Sequence, residues 1–277
     1  AGRRVRPAGS VDRRRRLAIR LATALGLLAA LPGCEELVYH PVPLTPAQDA
    51  AIRARHAQAE PLEIRAADGV ALRGWRLPGS RPGRPLAIYC GGNAEEVSWL
   101  LDHAEAFAGW DLALVNYRGY GRSDGRPRER DLLADAVAMH DHLVAAGPPR
   151  RVAVIGRSLG SAVATHLASQ RPVTCVVLVT PFDSASAVGR DALPFVPVAW
   201  VLGNVFDAAP LAAAIEAPLR VIVASHDEIV ARERSQRLFD AWAGDKEWVT
   251  IEGAGHNDIQ AHPSYWNAIR SFLVRHG

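Results

Sequence analysis

Apolar and polar positions change period several times along this 277-residue chain, and the changes predict alternating strands and helices. From Leu62 to Arg65 and from Val70 to Leu77, apolar residues alternate with polar ones around Asp68-Gly69, the pattern of a β-hairpin closed by a tight turn. Runs that are apolar nearly throughout follow at Leu86 to Cys90, Leu112 to Asn116, Val152 to Ile155, Val173 to Thr180 and Leu219 to Ser225, with a further strand over Trp248 to Glu252. Between them lie helical spacings: Glu95 to Ala108 through Val97, Leu100, Leu101 and Ala104, Arg130 to Ala146 through Leu132, Leu133, Ala136, Val137 and Leu143, then Ala231 to Ala243 and Pro263 to His276. Strands that are apolar on both faces and alternate with helices predict an α/β fold. Its central sheet is mostly parallel and covered by helices on both faces, and the N-terminal antiparallel hairpin opens it.

Two stretches fall outside this alternation. Tyr39 to Gln58 reads as a connector interrupted at Pro41, Pro43 and Pro46 that then runs briefly helical. Pro181 to Pro218 is too long for a simple loop. Its apolar residues Phe195, Val196, Val198, Trp200, Val201, Leu202, Val205 and Phe206 predict a short helical cap at about residues 183–216.

Composition alters this picture at the N-terminus. The chain carries a formal net charge of +3, but residues 1–33 hold eight arginines and one aspartate, so the rest is mildly acidic and offers no nucleic-acid surface. Arg13 to Arg16 with Arg20 form a cationic region, and Leu21 to Leu31 an apolar one too short to span a bilayer. Leu31-Pro32-Gly33-Cys34 then resembles the lipobox of bacterial lipoprotein signal peptides, in which the cysteine is lipidated after cleavage. The tandem arginines also fit a twin-arginine export signal. The expected organisation is a signal peptide over 1–33, a tether over 34–60 and one α/β domain over 61–277. The lipid anchor on Cys34 would hold that domain at the membrane of the bacterial cell envelope, on the periplasmic side. Cys90 and Cys175 lie in strand-like runs and read as buried thiols, not as a bridge.

The chemistry centres on Gly156-Arg157-Ser158-Leu159-Gly160, between the apolar run at Val152 and a helix of small residues. A serine hydroxyl is a weak nucleophile until a base takes its proton and donors stabilise the oxyanion it forms. A sharp strand-to-helix turn lifts Ser158 clear of the sheet and aims the Leu159 backbone N–H at the developing charge, while a Cβ at Gly156 or Gly160 would crowd the turn. His256, in the turn Gly253 to Asp258 between the last strand and the last helix, is the candidate base. Asp227, after the strand ending at Ser225, is the candidate acid and gives the order Ser, Asp, His, with Asp183 as the competing acid. A second oxyanion donor is expected from Gly91-Gly92-Asn93-Ala94, most plausibly the Asn93 N–H.

These motifs together resemble the α/β-hydrolase fold, and within it the membrane-associated serine hydrolases of the Bem46 and α/β-hydrolase-domain 13 and 17 groups. The resemblance runs over roughly residues 60–275 and rests on Gly92-Asn93-Ala94, on Asn116 to Ser123 and on Gly156 to Gly160. It implies Ser158, Asp227 and His256 as a triad with Asn93 and Leu159 as oxyanion donors, and a bracing role for Tyr117, Arg118 and Tyr120. Gly91 stands where those relatives usually have histidine, and Ala231 where a proline often follows the acid turn. The expected activity is hydrolysis of carboxylic esters or thioesters through an acyl-enzyme, on a small-molecule or lipid-like acyl substrate and without metal or organic cofactor. A non-catalytic membrane-tethered binding module and a serine peptidase are the alternatives. Fold alone does not name the substrate.

Overall fold

A computed structural model describes residues 38–78, 83–192 and 205–277. The leader, Cys34 and the cap residues from Phe195 to Leu202 lie outside the described residues.

Eight strands form one sheet in the order β1-β2-β4-β3-β5-β6-β7-β8: β1 Glu60–Arg65, β2 Ala71–Leu77, β3 Leu86–Cys90, β4 Asp111–Val115, β5 Val152–Arg157, β6 Cys175–Val179, β7 Leu219–Ala224 and β8 Lys246–Ile251. The hairpin β1-β2 and the pair β2-β4 are antiparallel, and every other pairing is parallel. The chain therefore belongs to the predicted class, an antiparallel hairpin at the edge of a parallel sheet.

The apolar runs become central strands because both of their faces are covered. In β3, Leu86, Ile88 and Cys90 face a layer that includes Leu132, Val163, Leu167 and Leu238, while Ala87 and Tyr89 face a second layer with Leu100, Phe107, Ile269 and Phe272. The first layer is built from helices α2 Glu129–Ala146, α3 Leu159–Gln170 and α6 Arg232–Ala241. The second is built from the segment Val97–Phe107 and the C-terminal helix α7 Pro263–His276. Two short helices, α4 Ala185–Ala192 and α5 Ala209–Ala212, lie between β6 and β7, inside the span read as a cap. Helix α1, Pro46–Arg55, precedes β1 and starts from a Thr45/Gln48 capping box with proline at its first turn.

One predicted α-helix differs. Val97–Phe107 winds as 3₁₀ helix with a kink at His103 (φ −120°, ψ 21°). Its first amides are held by side chains: Val97 N–H donates to Asn116 Oδ1 at 3.1 Å and Ser98 N–H to Glu96 Oε2 at 3.2 Å. Cys90 and Cys175 are free and buried, and burial pushes each thiol up to about 12.

Because β3, β5, β7 and β8 are parallel, the loops that follow them open at one edge of the sheet. The residues after those strands are Gly91 to Ala94, Ser158, Asp227 and His256. That edge is where α/β sheets collect their functional groups.

Candidate active site

Ser158 sits between the end of β5 and the first turn of α3 with φ 50° and ψ −115°, a conformation rarely adopted by a residue with a side chain. Neighbouring bonds hold it there: its N–H donates to Val179 O at 2.9 Å, and its carbonyl accepts from Ser161 N at 2.8 Å and Ser161 Oγ at 2.6 Å. The two flanking glycines leave room for the turn. A Cβ on Gly156 would lie 2.3 Å from Gly160 O, and one on Gly160 would lie 2.0 Å from Cys90 O and 2.5 Å from Gly91 O. The latter contact also presses the loop after β3 against the start of α3.

The three residues singled out from sequence order meet here. His256 Nε2 is 3.0 Å from Ser158 Oγ, and His256 Nδ1 lies 2.9 Å and 3.0 Å from the two Asp227 oxygens. His256 is buried, with 4% exposure. Asp227 Oδ1 also accepts from Ile229 N at 3.0 Å and Val230 N at 2.8 Å, so its carboxylate is fixed by its own loop. Glu228 accepts from His256 N at 3.3 Å and Asp258 from Gly255 N at 2.7 Å, which shapes the histidine turn from both sides. Asp183, the competing acid, is elsewhere: it pairs with Arg234 at 3.2 Å. His226 is exposed. The arrangement has the parts of an acyl-transfer site: a hydroxyl, a base within hydrogen-bond reach of it, and a carboxylate that orients the base.

Asn93 and Leu159 lie on the two segments that Gly160 brings together. The Leu159 N–H is the first amide of α3 and has no partner within the helix. The Asn93 side chain has a role that sequence reasoning did not find. Its Nδ2 donates to Val38 O at 2.6 Å, while its Oδ1 accepts from His40 N at 2.9 Å and Tyr120 Oη at 2.6 Å. The segment before α1 continues along the same edge, with Gly121 N donating to Val42 O and Leu44 N to Gly121 O, both at 2.8 Å. Tyr39 is buried, its ring packed edge-on to Phe206 at 6.4 Å. From residue 38 onward, the stretch read as a connector is thus a strap fastened across the site.

The Tyr117 to Gly121 segment braces this edge as expected. Tyr117 Oη donates to Gly91 O at 2.9 Å and Tyr120 Oη to Asn93, and burial pushes the Tyr120 hydroxyl up to about 12. Arg118 donates to both oxygens of Asp135 at 2.5 and 2.7 Å and also pairs with Asp68 in the hairpin turn. Arg118 and Asp135 are both buried. Burial holds the Asp135 carboxyl above its ordinary value even though Arg118 opposes the shift. Arg118→Met would leave that carboxylate without its cation, at about 3 kcal/mol near neutral pH. A carboxyl with a raised folded-state pKa is penalised more as pH rises, so the deficit should shrink as pH falls towards 4. Urea unfolding of both proteins at pH 7 and pH 5 measures this. An equal deficit at the two values would exclude Asp135 as its source.

Two expectations drawn from departures are also visible. A Cβ on Gly91 would lie 2.9 Å from Val97 Cγ1, so a side chain there requires the Val97 side chain to give way. Ala231 caps the start of α6 with an extended backbone (φ −57°, ψ 137°).

Comparison with known proteins places these features. A family model described as alpha/beta hydrolase fold matches residues 88–199. An uncharacterized protein of Mycobacterium tuberculosis is 39% identical over 214 residues, covering 75% of this chain and 76% of that protein. Alpha/beta hydrolase domain-containing protein 17B of Xenopus laevis is 29% identical over 165 residues, covering 58% of this chain and 55% of that protein. Among solved structures, an esterase of Pyrococcus furiosus superimposes with a TM-score of 0.62 at 22% identity, covering 79% of this chain and 90% of that one. That last likeness is one of fold.

Proposed function

The chain has the α/β-hydrolase fold, and from that premise we propose that it is a serine hydrolase cleaving carboxylic ester or thioester bonds. The observation that carries this reading is the relay in which His256 Nε2 reaches Ser158 Oγ at 3.0 Å while Nδ1 is held by Asp227 at 2.9 Å.

His256 takes the proton of Ser158 as its oxygen attacks the acyl carbonyl carbon. The oxyanion is met by the N–H groups of Leu159 and Asn93, where donors fixed in advance are worth more than mobile water. The imidazolium is stabilised by Asp227 and returns its proton to the leaving alkoxide or thiolate as the tetrahedral intermediate collapses. Water then repeats the cycle on the acyl-enzyme, with His256 as base once more, and releases the acid and free Ser158. In this reading the sequence from Phe195 to Phe206, largely apolar, is the cap, and it favours an acyl group of small-molecule or lipid-like character. In the same reading, Cys34 is the lipidated residue that holds the domain at the bacterial cell envelope.

The test is reaction of the full chain with a fluorophosphonate probe beside Ser158→Ala. The expected result is labelling of the parent only. Equal labelling of Ser158→Ala refutes Ser158 as nucleophile, and a folded parent that stays unlabelled refutes the hydrolase reading.

A further inference from the structure

The mechanism gives no task to the buried pair of Arg157 and Glu95. Arg157 is the last residue of β5 and the immediate neighbour of Ser158, and it is only 9% exposed. One guanidinium nitrogen donates to Glu95 Oε2 at 3.1 Å and another to the backbone carbonyl of His256 at 3.1 Å. Glu95, 7% exposed, accepts in turn from Gly92 N at 2.6 Å, Tyr89 Oη at 2.7 Å and Trp99 Nε1 at 2.9 Å. A Cβ on Gly92 would sit 2.9 Å from Glu95 Oε2, so the carboxylate lies directly against that backbone.

Stability alone does not account for such a pair. Removing two charges from water costs several kcal/mol per ion, and apolar replacements of similar volume are often as stable or more so. Arg157 adds to the cost because its Nε is buried without a partner. Burial works against the Arg157 charge, yet the Glu95 carboxylate holds its pKa above the ordinary value.

The destinations of the bonds point to their use. Gly92 N–H precedes Asn93, the proposed oxyanion donor, and the His256 carbonyl belongs to the proposed base. Neither group lies in a strand or helix that would otherwise fix it. We infer that the Glu95–Arg157 pair is a positioning device that sets the oxyanion loop and the histidine loop at fixed distances from the strand carrying Ser158. The inference rests on the serine-hydrolase reading. Arg157 and Glu95 touch no reacting atom. They act through the backbone of Gly92 and His256, and misplacing a reacting group by about 1 Å costs on the order of 10²-fold in rate.

The experiment compares Glu95→Gln, Arg157→Lys, Arg157→Met and the double variant Glu95→Gln/Arg157→Met in the full chain, with p-nitrophenyl butyrate as substrate. Glu95→Gln is nearly isosteric and serves as the variant that keeps the fold. Each single variant should lower kcat by about 10- to 100-fold with KM within about twofold, because the contacts fix geometry and not substrate. The double variant should fall no more than about threefold below the weaker single, since the two residues act as one unit. Lysine gathers its three donors on a single nitrogen and cannot span the two acceptors that separate guanidinium nitrogens reach, so Arg157→Lys should resemble Arg157→Met in kcat. Parent-like kcat in Glu95→Gln, recovery of parent kcat by lysine, or losses that multiply in the double variant would each overturn the inference. Hydrogen exchange at residues 91–94 and 253–257 reads the same device without turnover and should quicken in both loops. If the parent fails to react with the fluorophosphonate, the hydrolase reading fails, and unchanged exchange in Glu95→Gln then overturns the positioning role separately.

Discussion

Asp227→Asn should fold normally and hydrolyse esters about 10⁴-fold more slowly than the parent, although it changes one atom. The reason lies in how the two carboxylate oxygens are used. Oδ1 accepts from the Ile229 and Val230 amides at 3.0 and 2.8 Å besides lying 3.0 Å from His256 Nδ1, whereas Oδ2 serves Nδ1 alone at 2.9 Å. In the asparagine variant the single oxygen must stay with the two amides, which turns the NH₂ group towards Nδ1. Two donors cannot share that bond, so the imidazole moves its proton to Nε2 and Nδ1 becomes the acceptor. Nε2 then carries the hydrogen it should be removing from Ser158. Steady-state kinetics gives the loss, and ¹⁵N NMR of the imidazole gives the tautomer. A loss under about tenfold, or a proton that stays on Nδ1, would contradict the assignment of Asp227 as the residue that orients the base.

Gly160→Ala should be among the most damaging single-methyl additions in the chain, at about 3 kcal/mol or more of folding stability. The added Cβ would meet Cys90 O at 2.0 Å and Gly91 O at 2.5 Å, both backbone atoms at the end of a central strand that cannot rotate away. Relief requires β3 and α3 to separate, which undoes the contact that brings the Gly91 to Ala94 loop to Ser158. Thermal unfolding should fall by about 6–12 °C, and activity should be lost even well below the new midpoint. Gly109→Ala is the control for the methyl itself: a Cβ there meets nothing within 4 Å, although φ is +100°, so its cost comes from backbone strain alone and leaves the site in place. A Gly160→Ala protein with parent-like stability would mean that the strand and helix can part without penalty.

What was legible in the sequence was whatever depends on near neighbours. Runs apolar nearly throughout marked β3, β5, β6 and β7, because burial on both faces leaves few polar positions to alternate, Arg157 in β5 and Arg220 in β7 being the exceptions. The two glycines flanking Ser158 were legible because their constraint lies within the turn itself. Asp227 and His256 followed from their places after β7 and β8. What escaped was chemistry set by residues distant in sequence. Arg157 finds Glu95 62 positions away and the His256 carbonyl 99 positions away, and the Asn93 side chain finds Val38 across 55 positions. One signal was present: an arginine closing a strand whose every other residue is apolar or glycine must find a buried counter-charge. The start of the 3₁₀ segment Val97–Phe107 was hidden for a similar reason, since its first amide is tied to Asn116, 19 positions away.

The strap across the site gives the molecule a mechanical polarity. Tension applied to the chain ahead of residue 38 is borne first by the Val38 and His40 bonds to Asn93, and only afterwards by the paired bonds of Val42 and Leu44 to Gly121. Bonds loaded one after another peel at low force, and those two come first in the line. A pull from the N-terminal side therefore loads the Gly91 to Ala94 loop before it disturbs any strand of the sheet, and Asn93 is the first side chain to feel it.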